Sequence, residues 1–355
     1  TTEMMLIGGY SGIGKSALVQ EISKTIIRKE GNFIWGKFDQ FQRSIPYSAV
    51  VKAFSELVPL LLSETEAKLK EWREKLLNSL GSNGQIMLDV IPELELIIGP
   101  QPPVQELGPT EAQNRFNLVF QNFIRLFCQP EHPLVIFLDD LQWADSATLK
   151  LIKLMMTDDN TKYLFLIGAY RDNEVNVTHP LMMLVDGLRS QEEQEETAIV
   201  NEITLEPLEL KHITKLIAET LHSDRSSVAP LAELVMRKTG GNPFFVNEFL
   251  KTLYQENLLT FNPEIIRWQW DMEAIKALDI TDNVVDLMIG KLRKLPEGTQ
   301  KVLSLVACIG NQFDLNTLSL TYEKESSAAF GDLLPAVREG LVLPANESEA
   351  EGIDP

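Results

Sequence analysis

Five short apolar runs punctuate the first two hundred residues: EMMLIG, NFIWGKF, PLVIFLDD, KYLFLIGAY and IVNEITL. The stretches between them carry apolar residues at helical period, and such alternation predicts a parallel sheet covered by helices on both faces. A longer, mostly helical insertion, about residues 47–129, separates the second run from the third. In it YSAVVKAFSELVPLLL, EAKLKEWREKLLNSL and TEAQNRFNLVFQNFIRLFC read as helices, and GPQPPVQELGP reads as a stiff connector. Glu93 and Glu95, close together in PELELIIG, read as a solvated face rather than a carboxylate pair. QEEQEE, residues 191–196, reads as a solvated loop or a fraying helix.

The strand signal fades after ITLEPL, and ELKHITKLIAETL, SVAPLAELVMRKTG and NPFFVNEFLKTLYQENLL give a run of helices. A hairpin is expected over LLTFNPEIIRWQW. A second boundary falls near residue 280, followed by three short helices and a strand-like LVLP, the element order of a winged helix. The expected organisation is an α/β core over residues 1–205, a helical lid over 206–280 and a winged-helix-like domain over 281–355.

Composition narrows the class. A chain of 355 residues with 44% apolar side chains can bury two or three cores. Cys128 and Cys308 are its only cysteines and its four histidines are scattered, which fits a reduced, cytoplasmic protein with no zinc site. No apolar run approaches the roughly 20 residues that cross a bilayer, so neither a membrane span nor a signal peptide is expected. The chain starts on Thr1 and enters its first strand at once, from which a segment of a longer polypeptide is expected.

GGYSGIGKSAL follows the first apolar run, with four glycines in seven positions and then Lys-Ser at the start of an amphipathic helix. Gly9, Gly14, Lys15 and Ser16 fill every fixed position of the phosphate-loop pattern. In such a loop the main-chain N–H groups of Gly9 through Ala17, among them those of Ser11, Gly12 and Ile13, turn toward the α- and β-phosphates. Lys15 reaches the β/γ oxygens and the Ser16 hydroxyl meets Mg²⁺. A dinucleotide fingerprint is the competing reading, since Asp39 follows the second run, but there is no G-x-G-x-x-G.

A phosphate loop needs a carboxylate at the end of a neighbouring strand, and PLVIFLDD supplies two. Asp139 is placed to hold the metal and Asp140 to polarise the attacking water. In the next residues, Asp145 reads as a helix cap and Trp143 as packing beneath the strand end. Arg171 follows YLFLIGAY at the same carboxyl edge, where it would either sense the γ-phosphate or pair with Asp172 or Glu174. In GGNPFF, Asn242 is a cap and Pro243 the first helical residue. The two glycines before them leave room for a close ligand or backbone approach.

Together GGYSGIGKSAL, LVIFLDDLQWADSATL, GAYRDNEV and GGNPFFVNEFL resemble the regulatory ATPase module of the STAND class. The likeness is to the module inside large bacterial signalling proteins that also carry serine/threonine-kinase and histidine-kinase domains. It runs over about residues 3–340, and LDDLQWAD is its most specific mark. The resemblance implies a nucleotide-dependent switch, closed with ADP and open and assembling with ATP. Gly9, Gly14, Lys15 and Ser16 would bind phosphates and Mg²⁺, Asp139 the metal, and Asp140 would promote hydrolysis. Arg171 would sense the nucleotide and Pro243 would approach the adenine. The family's Gly-Arg-Glu segment, which precedes the first strand and helps bind the base, is not in this sequence. Partners implied are ATP, other domains of the same polypeptide or signalling proteins, and further copies of the chain.

Three other readings stand beside this one. A DNA-handling ATPase of the replication-loader type shares the element order, but 51 acids against 32 bases, a net charge of -19, oppose phosphate-backbone binding. A small-molecule kinase wants an arginine-rich lid, and arginines are few after residue 208. A nucleotide-holding scaffold without turnover would have no need of Asp140.

Overall fold

A computed structural model of the chain describes residues 2–29, 31–40, 45–192, 199–264, 266–277, 284–310 and 313–343. These form two compact units that divide between Glu206 and Pro207.

The first unit is built on five parallel strands, β1 (Thr2–Gly8), β2 (Asn32–Lys37), β3 (Leu134–Asp139), β4 (Leu164–Tyr170) and β5 (Ile199–Thr204), in the order β2-β3-β4-β1-β5. The five apolar runs are these strands. Every residue of the interior strand β3 is buried, as a near-continuous apolar run in a doubly covered sheet should be. Edge strand β5 buries only Val200. Helix α1 (Lys15–Arg28) covers one face, where Val19 meets Ile7, Val135, Phe137, Ile167 and Ala169.

The opposite face carries the insertion and the two helices after it. These are α2 (Ser48–Ser55), α3 (Leu57–Leu62), α4 (Glu66–Leu80), α5 (Gly84–Leu88), α6 (Glu95–Ile98), α7 (Pro109–Phe127), α8 (Ser146–Met156) and α9 (Pro180–Glu192). YSAVVKAFSELVPLLL is therefore two helices that meet at Glu56. Phe54 sits edge-on to Phe123 at 5.3 Å and to Phe120 at 5.6 Å, each pair contributing about 1 kcal/mol beyond its burial. Glu93 and Glu95 are exposed, as expected of a solvated face. Of QEEQEE, the first two residues end α9 and the rest lie outside the described residues.

The second unit contains α10 (Leu210–Thr220), α11 (Arg225–Thr239), α12 (Pro243–Gln255), the antiparallel hairpin β6 (Leu259–Asn262) and β7 (Arg267–Trp270), then α13 (Met272–Ala277), α14 (Val284–Lys294), α15 (Glu297–Ile309), α16 (Leu315–Tyr322) and α17 (Ser326–Arg338). It has two separate cores. One joins α10, α11, α12 and the hairpin around Ile217, Leu231 and Phe249. The other joins α15, α16 and α17 around Val302, Leu318 and Leu333. The expected boundary near residue 280 lies outside the described residues. No strand follows Trp270 among the described residues. Leu341–Leu343, where the sequence suggests a strand, follows the αL turn at Gly340 and is irregular, so the three helices are present without a described wing.

Candidate functional site

The phosphate loop joins the end of β1 to the start of α1. Its backbone has positive φ at Gly9 (146°), Gly12 (76°) and Gly14 (102°), so the path could not be followed at low cost by residues with a Cβ. Gly9 is doubly constrained, because a Cβ there would lie 2.9 Å from the Leu205 carbonyl oxygen. Leu205 follows β5, and its N–H donates to the Gly8 carbonyl at 2.9 Å, clamping the loop's base. Gly14 precedes α1 with no side-chain cap, which leaves the first N–H groups of the helix open toward an anion.

Lys15 is 7% exposed and curls back over the loop. Its Nζ donates to the carbonyls of Gly9 at 2.6 Å and Tyr10 at 2.9 Å. Burial strips water from the ammonium and lowers its pKa below the ordinary 10.5. Asp139 and Asp140 pull it back up, and Arg171 pushes it further down. A partly desolvated cation over a ring of N–H donors fits a polyphosphate.

Ser16 and Asp139 lie 123 positions apart in the sequence, yet the Ser16 hydroxyl donates to Asp139 Oδ2 at 2.8 Å. Asp139 is buried at the carboxyl end of β3. This hard-oxygen pair suits Mg²⁺, which keeps several waters and takes only one or two protein oxygens besides phosphate. Ser16 Oγ and Asp139 are the protein groups that would hold the metal, beside phosphate and water.

Asp140, 4% exposed, has left-handed backbone (φ 57°) that turns the chain away from the sheet. Its N–H donates to Asp139 Oδ1 at 3.0 Å. Lys37 Nζ stands 3.2 Å from its Oδ2, and Arg171 Nε 3.4 Å from its Oδ1. Gln142 Nε2 donates to that same Oδ1 at 2.8 Å. The carboxylate that the sequence marks as the water-polarising group is thus gripped by two cations and an amide. Lys37 and Gln142 went unmarked in the sequence. Lys37 ends β2 in register with Asp139, at the same carboxyl edge that singles out Arg171, and that rule applied to β2 finds it. Gln142 had no such signal.

Of the two acidic partners considered for Arg171, Glu174 is the one it meets: Nη1 pairs with Glu174 at 2.8 Å while the guanidinium stacks on Trp143 at 4.7 Å. Trp143 does pack against the core, and its Nε1 donates to Glu174 at 3.1 Å. Asp145 caps α8 by accepting from Thr148 N at 2.8 Å. Its other oxygen accepts from the N–H of Tyr47, at the head of the insertion, at 3.2 Å.

In the second unit Asn242 caps α12, accepting from Phe244 N and Phe245 N, with Pro243 at the first helical position. Of the two preceding glycines, Gly240 ends α11 in αL backbone and Gly241 serves a backbone approach. Leu208 N–H donates to the Gly241 carbonyl at 2.8 Å, and a Cβ on Gly241 would lie 2.3 Å from the Leu208 oxygen.

Residues 1–167 match the model of the AAA ATPase domain family, which lies over the first unit and its phosphate loop. Two relatives extend the likeness across both units. The hybrid signal transduction histidine kinase G of Dictyostelium discoideum is 34% identical over 90% of this chain, which covers 11% of that protein. The peroxide stress-activated histidine kinase mak3 of Schizosaccharomyces pombe is 22% identical over 98% of this chain, covering 16% of that protein. The chain therefore spans a small fraction of the curated relatives it matches. Among solved structures, the Aeropyrum pernix ORC2 protein aligns with 99% of this chain and 78% of its own at 10% identity, with a TM-score of 0.41. No described helix is long and apolar enough to cross a membrane, and both cysteines are free.

Proposed function

We propose that this chain binds ATP with Mg²⁺, hydrolyses it slowly, and uses the difference between ATP and ADP to rearrange its units within a larger signalling polypeptide. The observation that carries the reading is the meeting of Ser16 and Asp139 at 2.8 Å beneath an open helix N-terminus, with the buried Lys15 ammonium beside them. Those three groups answer the three needs of a nucleoside triphosphate: phosphate oxygens to donors, charge to a cation, metal to hard oxygens. Mg²⁺ would supply neutralisation of the β- and γ-oxygens.

The chain's own residues do the rest. Lys15 leaves the carbonyls of Gly9 and Tyr10 for the phosphates. Asp140, released from Lys37 or Arg171, takes up the water that attacks the γ-phosphorus. Arg171 is in contact with that carboxylate and is the natural group to sense whether a γ-phosphate is there. By the STAND resemblance, Pro243 would approach the adenine. The STAND assignment, the winged-helix reading of the last helices, nucleotide-dependent self-association and a kinase-bearing polypeptide belong to this proposal, the last supported by the histidine-kinase relatives. Phosphate release by the parent and by Asp140→Asn tests it. The amide keeps the shape but loses basicity, so the rate should fall by about 10² to 10⁴ with ATP affinity retained. Equal rates would remove Asp140 from the chemistry. The switch is tested by hydrogen exchange over residues 207–343 with and without ADP, where added protection is expected.

A further inference from the structure

Gln142 is 3% exposed, and both ends of its amide are used. Nε2 donates to Asp140 Oδ1 at 2.8 Å, and Oε1 accepts from the main-chain N–H of Arg171 at 3.1 Å. An ionised carboxylate only accepts and an N–H only donates, so the amide has one orientation that satisfies both partners. Gln142 therefore spans the carboxyl ends of β3 and β4, one group short of each of the two residues assigned to water and nucleotide sensing.

The grip on Asp140 is of two kinds. Lys37 and Arg171 hold it through charge, at 3.2 and 3.4 Å, from side chains that retain 37% and 27% exposure. Both have other business near a polyphosphate, where a cation is drawn to the oxygens. Gln142 is buried, neutral and anchored to the backbone of β4's end, so it stays when the cations leave. Asp140 also sits on left-handed backbone, a conformation disfavoured for a non-glycine residue that needs neighbours to sustain it. The Trp143 N–H, donating to the Asp140 carbonyl at 2.9 Å, supports the same turn.

We propose that Gln142 is the positioning residue for Asp140: its amide N–H aims the carboxylate at the attacking water, and its amide oxygen registers that aim against Arg171. The inference rests on the ATPase reading given above. Gln142 touches neither the nucleotide nor the water and acts through Asp140.

Two near-isosteric variants separate positioning from mere support. Gln142→Met removes both hydrogen bonds without charge. Gln142→Glu keeps an acceptor for the Arg171 N–H but turns an acceptor, not a donor, toward Asp140. Steady-state hydrolysis of ATP-Mg²⁺ is measured for each, with thermal unfolding to confirm a folded chain. Both variants should lower kcat, by about 10- to 100-fold for a misaimed base, with KM for ATP within about threefold of the parent. Glu should be the slower of the two, because repulsion swings Asp140 away. On an Asp140→Asn background no carboxylate remains to be aimed, and the introduced acid can accept from the new amide, so neither Gln142→Met nor Gln142→Glu should slow that variant further. A milder effect of Glu than of Met in the parent, or an equal loss from Gln142→Glu on both backgrounds, overturns the proposal and leaves Gln142 as an anchor for Arg171. Should Asp140→Asn alone hydrolyse ATP at the parental rate, Asp140 is not the base and this proposal falls while the ATPase reading stands; should the parent not hydrolyse ATP at all, the ATPase reading fails first.

Discussion

Substituting Gly241 by alanine probes why two glycines precede the Asn242 cap. The left-handed φ of 77° costs an alanine about 1 kcal/mol. The new Cβ would start 2.3 Å from the Leu208 carbonyl oxygen and 3.2 Å from its nitrogen, where ordinary contact begins at 3.4 Å. Relief needs about 1 Å of backbone movement and strains the 2.8 Å bond from Leu208 N–H to Gly241, worth about 1 kcal/mol. With the residual crowding, the second unit should lose about 3 kcal/mol. Gly240→Ala is the internal control. Its φ of 58° carries the same penalty, but nothing lies within 4 Å of the added carbon, so about 1 kcal/mol is expected. Denaturant unfolding followed by hydrogen exchange of α11 and α12 reads the second unit separately from the first. Equal destabilisation by the two variants would refute the close approach and return the glycine pair to a ligand.

Three further outcomes are expected. Burial holds the Lys15 pKa below 10.5, so ATP affinity should fall as the pH rises from neutrality toward that value, earlier than for an exposed lysine. The charged form is the costly one in the folded chain, so stability without nucleotide should rise over the same interval; titration calorimetry and thermal unfolding across the alkaline range check both signs. Asp145→Ala removes the α8 cap and a partner of the Tyr47 N–H, and should cost about 2 kcal/mol in thermal unfolding, while a change under about 0.5 kcal/mol would make that link incidental. Random duplex DNA should not shift in a gel at low salt, given the net charge of -19; micromolar, salt-sensitive binding would revive the replication-loader reading.

What is legible in the sequence follows from local rules. A parallel strand buried on both faces must be apolar throughout, so PLVIFLD announces itself. A phosphate loop needs fixed spacing because one backbone turn must aim several N–H groups, so Gly9 through Ser16 can be read without a partner. The break at Glu56 is masked by the apolar period, which Leu57 continues, but it has a local cause: Pro59 has no N–H for the Ser55 carbonyl, so α2 ends there and Pro59 sits in the first turn of α3. Gln142 is hidden for a different reason. A glutamine two residues after an acid has no helical or strand phase, and its two partners converge only because Asp140 turns left-handed and β4 ends beside β3. GGNPFF carries its cap in its own residues, while the reason for Gly241 lies in Leu208, far back along the chain.

The central claim is that the loop from Gly9 to Ser16 is a site for ATP-Mg²⁺, and isothermal titration of ATP-Mg²⁺ into the parent and Lys15→Ala tests it most directly. Loss of a charged hydrogen-bond donor to phosphate is worth about 1.5–3 kcal/mol, so the variant should bind about 10- to 100-fold more weakly with its unfolding transition intact. Saturable binding of ATP-Mg²⁺ by the parent and a loss of that size in the variant is the predicted result. Equal affinity in both, or no binding by the parent, would contradict it.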